Sequence, residues 1–179
     1  MAKIVAITGA SAGIGRATAL RLARDGASLA VCARRADPLA VAAEEIASAG
    51  GHALPIVADV TSEPDMDRLV AAAVDRFGRL DVMICNAGFG IYGTIDSIAP
   101  AQMQRLLDVN FLGTYYATRA ALRVFRRQGS GHVIVVSSIV GKRGIPYMVR
   151  RWGRKPLAQK APSPVREGPG ERGPGERKA

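Results

Sequence analysis

The sequence has little of several features that mark particular classes of protein. It contains two cysteines, one tryptophan and 5% aromatic residues in 179 positions, which disfavours a disulfide scaffold and a stacking surface for nucleic acid. No stretch has the apolar length that spans a bilayer, and the opening Met1-Ala2-Lys3 is too short for a secretory core. We therefore expect a soluble cytoplasmic protein with no membrane partner.

The two cysteines give no sign of a metal centre or a disulfide. Cys32 and Cys85 both fall in predicted buried strands, and neither stands at metal-ligand spacing from His52 or His132. Buried free cysteines behave as small apolar residues. The sequence predicts reduced core cysteines and no metal site.

Charge and proline are concentrated at the carboxyl end. Residues 150–179 contain nine Lys or Arg, three Glu, five of the ten prolines and a tandem Gly-Pro-Gly-Glu-Arg repeat, so this segment carries +6 of the net charge of +10. It has almost no apolar residues to bury. We predict a single folded domain over 1–149 and a low-complexity, basic, disordered tail over 150–179.

Before the tail, apolar runs alternate with helix-like stretches, which is typical of consecutive βαβ units. The predicted strands are 3–8, 28–33, 53–58, 80–86 and 132–138. The predicted helices are 14–25, 38–49, 63–77 and 100–127, the last fitting either one long helix or two. Short apolar strands of this kind suit a parallel sheet that is covered on both faces, so the predicted fold class is α/β.

A glycine-rich segment connects the first strand to the first helix. It reads Thr8-Gly9-Ala10-Ser11-Ala12-Gly13-Ile14-Gly15. Backbone amides at a helix N-terminus attract an anion, and glycines admit a ligand close to the main chain. The segment predicts a binding turn for a dinucleotide pyrophosphate, although a plain tight turn uses the same spacing.

Residues 3 to about 148 resemble the short-chain dehydrogenase/reductase family, because several of its motifs occur here in the same order. They are the cofactor turn from Thr8 to Gly15, Asp59-Val60 after the third strand, Asn86-Ala87-Gly88 after the fourth, Asn110 in a helix and Ser138 after the fifth strand. The resemblance implies a Rossmann-like doubly wound parallel sheet, with about five strands present and the family's C-terminal strands missing.

The resemblance also implies an activity and roles for these residues. The family transfers hydride between a nicotinamide and a carbonyl or alcohol, with Ser138 polarising the oxygen and Asn110 holding a water in a proton relay. Asp59 would accept from the adenine amino group or cap the next turn, and Asn110 would otherwise be a satisfied packing contact. Asn86 and Gly88 would keep the strand end open for the ribose and nicotinamide, although Asn-Ala-Gly is also ordinary turn chemistry.

The end of the second strand bears on the choice of cofactor. Cys32-Ala33-Arg34-Arg35 stands where NAD-preferring relatives place an acidic residue. A guanidinium forms paired hydrogen bonds with the 2′-phosphate of NADP. Arg34 is the first candidate for this contact and Arg35 the second, and Ser11 would add a hydroxyl contact, so the sequence predicts a preference for NADP(H). Ordinary surface arginines are the alternative.

The sequence departs from the family where its acid/base tyrosine and assisting lysine are expected. Those positions hold Arg151 and Lys155, and Tyr147 lies four residues early, after Pro146. An arginine stays protonated and cannot replace the phenol. The predicted function is therefore an NAD(P)H-dependent oxidoreductase whose catalysis is in question, and the alternative is a noncatalytic dinucleotide-binding module from a truncated or frame-shifted member.

The tail admits three interpretations, of which an altered reading of the family's catalytic helix and last strands is favoured. The others are a basic arm for nucleic acid, which lacks aromatic residues and a recognised fold, and a solvated tail with no role. The expected partner is a small carbonyl or alcohol. Helix 100–127 would pair with a second subunit in the family, but the family interface is incomplete here, so a homo-oligomer stays open.

Overall fold

A computed structural model of the chain describes residues 2–138. Tyr147, Lys155 and the predicted tail lie outside the described residues. The strands are β1 (Ile4–Thr8), β2 (Ser28–Ala33), β3 (His52–Val57), β4 (Val82–Cys85) and β5 (His132–Val135). All five predicted strands are found, so the predicted α/β class with a Rossmann-like parallel sheet is confirmed.

The sheet has the order β3-β2-β1-β4-β5, and every neighbouring pair is parallel. The chain first builds outward from β1 to β3 and then returns to place β4 on the other side of β1. The connections on the two sides leave the sheet in opposite directions, so a crevice opens above the carboxyl ends of β1 and β4.

Helices cover both faces of the sheet. They are α1 (Gly13–Ala23), α2 (Ala36–Ser48), α3 (Glu63–Phe77), α4 (Pro100–Leu107) and α5 (Gly113–Gln128). α3 shows both expected end signals, because Ser62 Oγ accepts a hydrogen bond from the amide of Asp65 at 3.3 Å and Gly78 ends the helix with φ +83°. In the described part of the chain no helix is long and apolar enough to cross a membrane.

Two apolar clusters form the core, one on each face of the sheet. One contains buried residues of α1 and α2, such as Ala19, Leu39 and Ile46. The other contains buried residues of α3 and α5, such as Leu69 and Ala121. Burial on both faces explains why β1 and β2 read as continuous apolar runs.

The predicted helix 100–127 follows a continuous helical path with a wider turn inside it. α4 passes into a π-helical turn over Asp108–Leu112 and then into α5, with helical backbone angles at Leu107 and Gly113. The turn brings Gly113 against the loop after β3, where an added Cβ would lie 2.8 Å from Val60 Cγ2. A π turn of this kind often marks a functional position.

β4 and β5 are shorter than the sequence predicts, and side chains replace strand neighbours at both ends of β4. The amide and carbonyl of Leu80 bond to the carboxamide of Gln128 at 3.0 and 2.7 Å. At the other end the amide of Asn86 donates to Thr8 Oγ1 at 3.0 Å. β5 stops at Val135, although the amide of Val136 still donates to the carbonyl of Cys85 at 3.0 Å.

Candidate functional site

A cleft of about 1040 Å³ lies at the carboxyl edge of the sheet, where the topology predicts a crevice. Most of the predicted site residues line it. From the glycine-rich turn and β2 these are Gly9, Ser11, Gly13, Ile14, Arg34 and Arg35. From the ends of β3 and β4 they are Asp59, Val60, Asn86, Ala87 and Gly88. Asn110 and Ser138 line the same cleft from the π turn and from beyond β5, so the structure brings separate motifs of the sequence together.

Thr8 lies behind the wall of the cleft. Its side chain is buried, and its hydroxyl oxygen accepts hydrogen bonds from the amides of Asn86 and Ala87, both at 3.0 Å. In return, Asn86 Nδ2 donates to the carbonyls of Thr8 and Gly9 at 3.0 and 3.1 Å. These bonds fix the ends of β1 and β4 to each other, so Thr8 and the Asn86 side chain shape the cleft from behind.

The three glycines of the turn have different roles. A Cβ on Gly9 would lie 2.8 Å from Ala87 Cα, and one on Gly15 would collide with the carbonyl of Gly9 and with Asn86 Nδ2. Gly15 is outside the lining of the cleft, so it serves close packing. Gly13 lines the cleft and has φ +56° with open space where its Cβ would be, so its backbone conformation rather than its packing favours glycine.

The first turn of α1 presents backbone donors to the cleft. Its N-cap residue, Ala12, has an extended backbone and no side-chain acceptor. The first amides of a helix have no partner within the helix, and the helix dipole adds positive potential there. A donor set of this kind suits an anion.

Arg34 and Arg35 are exposed at the end of β2, and both line the cleft. Neither forms an ion pair with another residue of the described part, whereas Arg16 on α1 is bound by Glu45 of α2. A guanidinium at the cleft without a carboxylate partner keeps its donors for a ligand.

Asp59 caps its own turn, which was one of the two roles considered from the sequence. Its Oδ1 accepts from the amide and the hydroxyl of Thr61 at 3.0 and 2.9 Å. Its own amide donates to Asp65 Oδ2 at 2.8 Å. The turn is therefore held rigidly while the carboxylate still lines the cleft.

Asn110 is buried in the middle of the π turn. Its Oδ1 accepts from the amide of Phe89 at 3.0 Å, and its Nδ2 donates to the carbonyl of Phe89 at 2.8 Å. Its own carbonyl accepts from Thr114 Oγ1 at 2.9 Å. The side chain is thus a satisfied amide that joins the helix to the loop after β4. The Phe89 backbone partner was not identified from the sequence, where the only signal for it was an asparagine among apolar neighbours.

Both cysteines are buried near the carboxyl ends of strands, Cys32 in β2 and Cys85 in β4. Cys32 is fully buried under the cleft, and burial raises the pKa of its thiol to about 12. Burial also raises the pKa of Cys85, against a hydrogen bond with the hydroxyl of Thr118 that lowers it. Both remain protonated near neutral pH, so neither acts as a nucleophile. The prediction that both cysteines are buried is confirmed, and both are free. Residues 2–138 hold no cluster of three or more potential metal ligands.

One charged residue of the cleft was missed in the sequence. Arg105 lines it from α4, together with Leu106 and Val109. Its spacing from Val109 and Asn110 puts these residues on one face of a helix, and this periodicity was the available signal.

Comparison with known proteins agrees with this arrangement. The family model for short chain dehydrogenase matches residues 3–150. An uncharacterised oxidoreductase of Listeria monocytogenes is 35% identical over 161 residues, which cover 88% of this chain and 65% of the relative. A glucose 1-dehydrogenase of Gluconobacter oxydans is 37% identical over 139 residues, covering 77% of this chain and 52% of the relative.

Solved structures share the fold. An NAD⁺-bound xylitol dehydrogenase superposes with a TM-score of 0.79 and 32% identity, covering 82% of this chain and 56% of that chain. An alcohol dehydrogenase from the archaeon Thermococcus sibiricus, complexed with 5-hydroxy-NADP, superposes with a TM-score of 0.77 and 35% identity. The match covers 82% of this chain and 63% of that chain. The chain therefore spans less than two thirds of the length of these relatives.

Proposed function

The chain belongs to the short-chain dehydrogenase family, and from this membership we propose that it binds NADP(H) in the cleft as part of an oxidoreductase that interconverts a carbonyl and an alcohol. The observation that carries the proposal is the pair Arg34 and Arg35, which lines the cleft at the end of β2 without ion-pair partners in residues 2–138. The reaction is that of a small-molecule enzyme, which we expect to act in the cytoplasm.

The residues present fit a dinucleotide. The uncapped first turn of α1 offers amides for the pyrophosphate, and the open space at Gly13 leaves the main chain accessible. Ser11 lies beside this turn in the cleft wall. The loop of Asp59 and Val60, held by Asp65, forms a rigid wall for the adenine at the end of β3.

The preference for the phosphorylated cofactor follows from charge. NADP carries a 2′-phosphate on the adenosine ribose, and the end of β2 is the place where this ribose lies in dinucleotide folds. A carboxylate there would favour the free hydroxyls, whereas guanidinium groups favour the phosphate. The similar structures include one bound to NAD⁺ and one bound to an NADP derivative, so they do not distinguish the two cofactors. The proposed preference for NADP(H) therefore rests on the two arginines of this chain.

At the other end of the cleft the proposed catalytic groups are Ser138 and Asn110. A bound nicotinamide supplies or accepts the hydride. Ser138 would donate a hydrogen bond to the substrate oxygen, and Asn110 would fix the loop after β4 and a relay water beside it. The remaining candidates for moving the proton are Tyr147, four residues before the family's tyrosine position, and Lys155 at its lysine position, and both lie outside the described residues.

A noncatalytic dinucleotide-binding module is the second candidate, and one observation favours it. Arg151 stands where the family's tyrosine is expected, and the family model stops matching at residue 150, where the composition changes. A truncated or frame-shifted member would keep the cleft and lose the acid/base pair.

The two candidates differ in turnover. We would incubate the full chain with NADPH and a panel of ketones and aldehydes, and follow nicotinamide absorbance and the melting temperature in parallel. The oxidoreductase predicts both oxidation above blank and a raised melting temperature. A raised melting temperature without oxidation supports the noncatalytic module, and no change in either contradicts both.

The altered-reading account of residues 150–179 is tested on the encoding DNA. Resequencing codons 140–180 is expected to show an inserted or lost base that restores a Tyr-x-x-x-Lys motif and further βα units. An unaltered reading frame would contradict this account and leave the noncatalytic module favoured.

A further inference from the structure

The position of α4 follows from the two ends of α5. The start of the α5 segment is joined to the carboxyl side of β4 through Asn110 and Phe89, and its end is joined to the amino side through Gln128 and Leu80. α5 therefore runs antiparallel to the strands, and α4, which precedes it on the same helical path, extends beyond the carboxyl edge. At about 1.5 Å per residue, Arg105 lies roughly 7 Å further out than Asn110.

The helical segment that carries Arg105 packs near the loop after β3. Val109 packs against the core cluster that contains Ala58 and Val60, and a Cβ added to Gly113 would lie 2.8 Å from Val60 Cγ2. Arg105 precedes Val109 by four residues, so both lie in one row on the helix. Arg105 lines the same cleft as Ala58, Asp59 and Val60, which form the end assigned to the adenosine.

The charged side chains that line the cleft make it positive, so it attracts an anion. Among its described lining residues, the charged ones are Arg34, Arg35 and Arg105, against Asp59 alone. Arg105 is exposed and forms no ion pair within residues 2–138, and the nearest acid on its helix, Asp108, is hydrogen-bonded to Gln104 at 2.7 Å. The positive charge of three guanidinium groups is therefore only partly neutralised by the one carboxylate.

We propose that Arg105 is a specificity-determining residue that binds the 2′-phosphate of the cofactor from the α4 side, while Arg34 and Arg35 bind it from the β2 side. The inference rests on the proposed function. A phosphate has several acceptor oxygens, so donors from two walls bind it together. A cofactor without the 2′-phosphate leaves Arg105 without a partner.

The test uses nucleotides that contain only the adenosine half. Adenosine 2′,5′-bisphosphate and adenosine 5′-monophosphate are titrated by calorimetry into the full chain and into the variant Arg105→Gln. The control is Arg127→Gln, which removes the same charge in the last turn of α5, away from the cleft. We expect Arg105→Gln to weaken the bisphosphate about tenfold or more, to change the monophosphate less than about threefold, and to leave the melting temperature of the free protein near that of the control.

Arg105→Lys keeps the charge but loses the planar donor pair. Its affinity for the bisphosphate is therefore expected to lie between those of the original chain and Arg105→Gln. Equal weakening of both nucleotides, or no weakening of either by Arg105→Gln, would overturn the inference. Failure of the original chain to bind either nucleotide would instead overturn the proposed function, so the two failures are distinguishable.

Discussion

The carboxamide of Asn110 and the peptide groups of Phe89 form two reciprocal hydrogen bonds, at 3.0 and 2.8 Å. Gln128 makes the same arrangement with Leu80 at the other end of the segment, at 3.0 and 2.7 Å. α5 and its preceding π turn are therefore fixed to both ends of β4 by side-chain amides. Only the Asn110 pair lies at the cleft, which separates its effect on binding from its effect on stability.

Replacing Asn110 with Asp should reduce both stability and cofactor binding. The carboxylate cannot donate to the Phe89 carbonyl and would be buried, so we expect a loss of about 3 kcal/mol in the free energy of unfolding. Urea denaturation measures this loss, and a calorimetric titration with NADPH measures the affinity. Gln128→Glu is the matched control and should lower stability while leaving the affinity unchanged. Equal loss of affinity in both variants would contradict a local role for Asn110.

Replacing Thr8 with Val keeps the shape of the side chain and removes its hydroxyl. The amides of Asn86 and Ala87 would each lose an acceptor at 3.0 Å, and each buried donor left without a partner costs about 1–3 kcal/mol. Urea denaturation should show a loss of about 2 kcal/mol or more. Thr8→Ser retains the hydroxyl and should lose much less. A Val variant as stable as the Ser variant would show that these bonds do not fix the ends of the strands.

Replacing Arg34 or Arg35 with Gln should change the choice between cofactors. Loss of a charged donor pair is expected to weaken NADPH about tenfold and to leave NADH nearly unchanged, with the larger effect at Arg34. Fluorescence titration of both cofactors measures the ratio, with Arg127→Gln as the control for net charge. An unchanged ratio in the double variant would reject the assignment of the 2′-phosphate site.

The Cys32 thiol predicts a loss of stability in alkaline solution. Its pKa is raised from an ordinary value of 9.0 to about 12 by burial, so the unfolded chain releases this proton at lower pH than the folded chain does. The contribution of the protonated thiol to the free energy of unfolding is therefore complete below about pH 9. It is lost as the pH rises toward 12, at up to about 1.4 kcal/mol per pH unit. Urea denaturation across this range should show a steeper decline for the original chain than for Cys32→Ala. Parallel curves would contradict the burial of the thiol.

The fold was predictable because its signals are local. Each strand is a short apolar run, and α3 begins after Ser62 and ends at Gly78 with ordinary capping residues. The strand boundaries were less predictable, because contacts with Gln128 and Thr8, distant in sequence, replace strand pairing at the ends of β4.

The site was predictable only where a motif carries it. The glycine-rich turn could be named from its own residues, and Asp59 and Asn86 from the family resemblance, and the cleft brings them together. The sequence did not show that Gly15 serves packing, that Asn110 binds the Phe89 backbone, or that Arg105 reaches the cleft. Each of these depends on how α1, α4 and α5 pack against the sheet, which no local pattern specifies.

The preference for NADP(H) is tested most directly by calorimetric titration of the full chain with NADPH and with NADH under the same conditions. The account predicts that both bind in the cleft and that NADPH binds at least about tenfold more tightly, because the 2′-phosphate meets guanidinium groups without carboxylate partners. Equal affinities, or tighter binding of NADH, would contradict it.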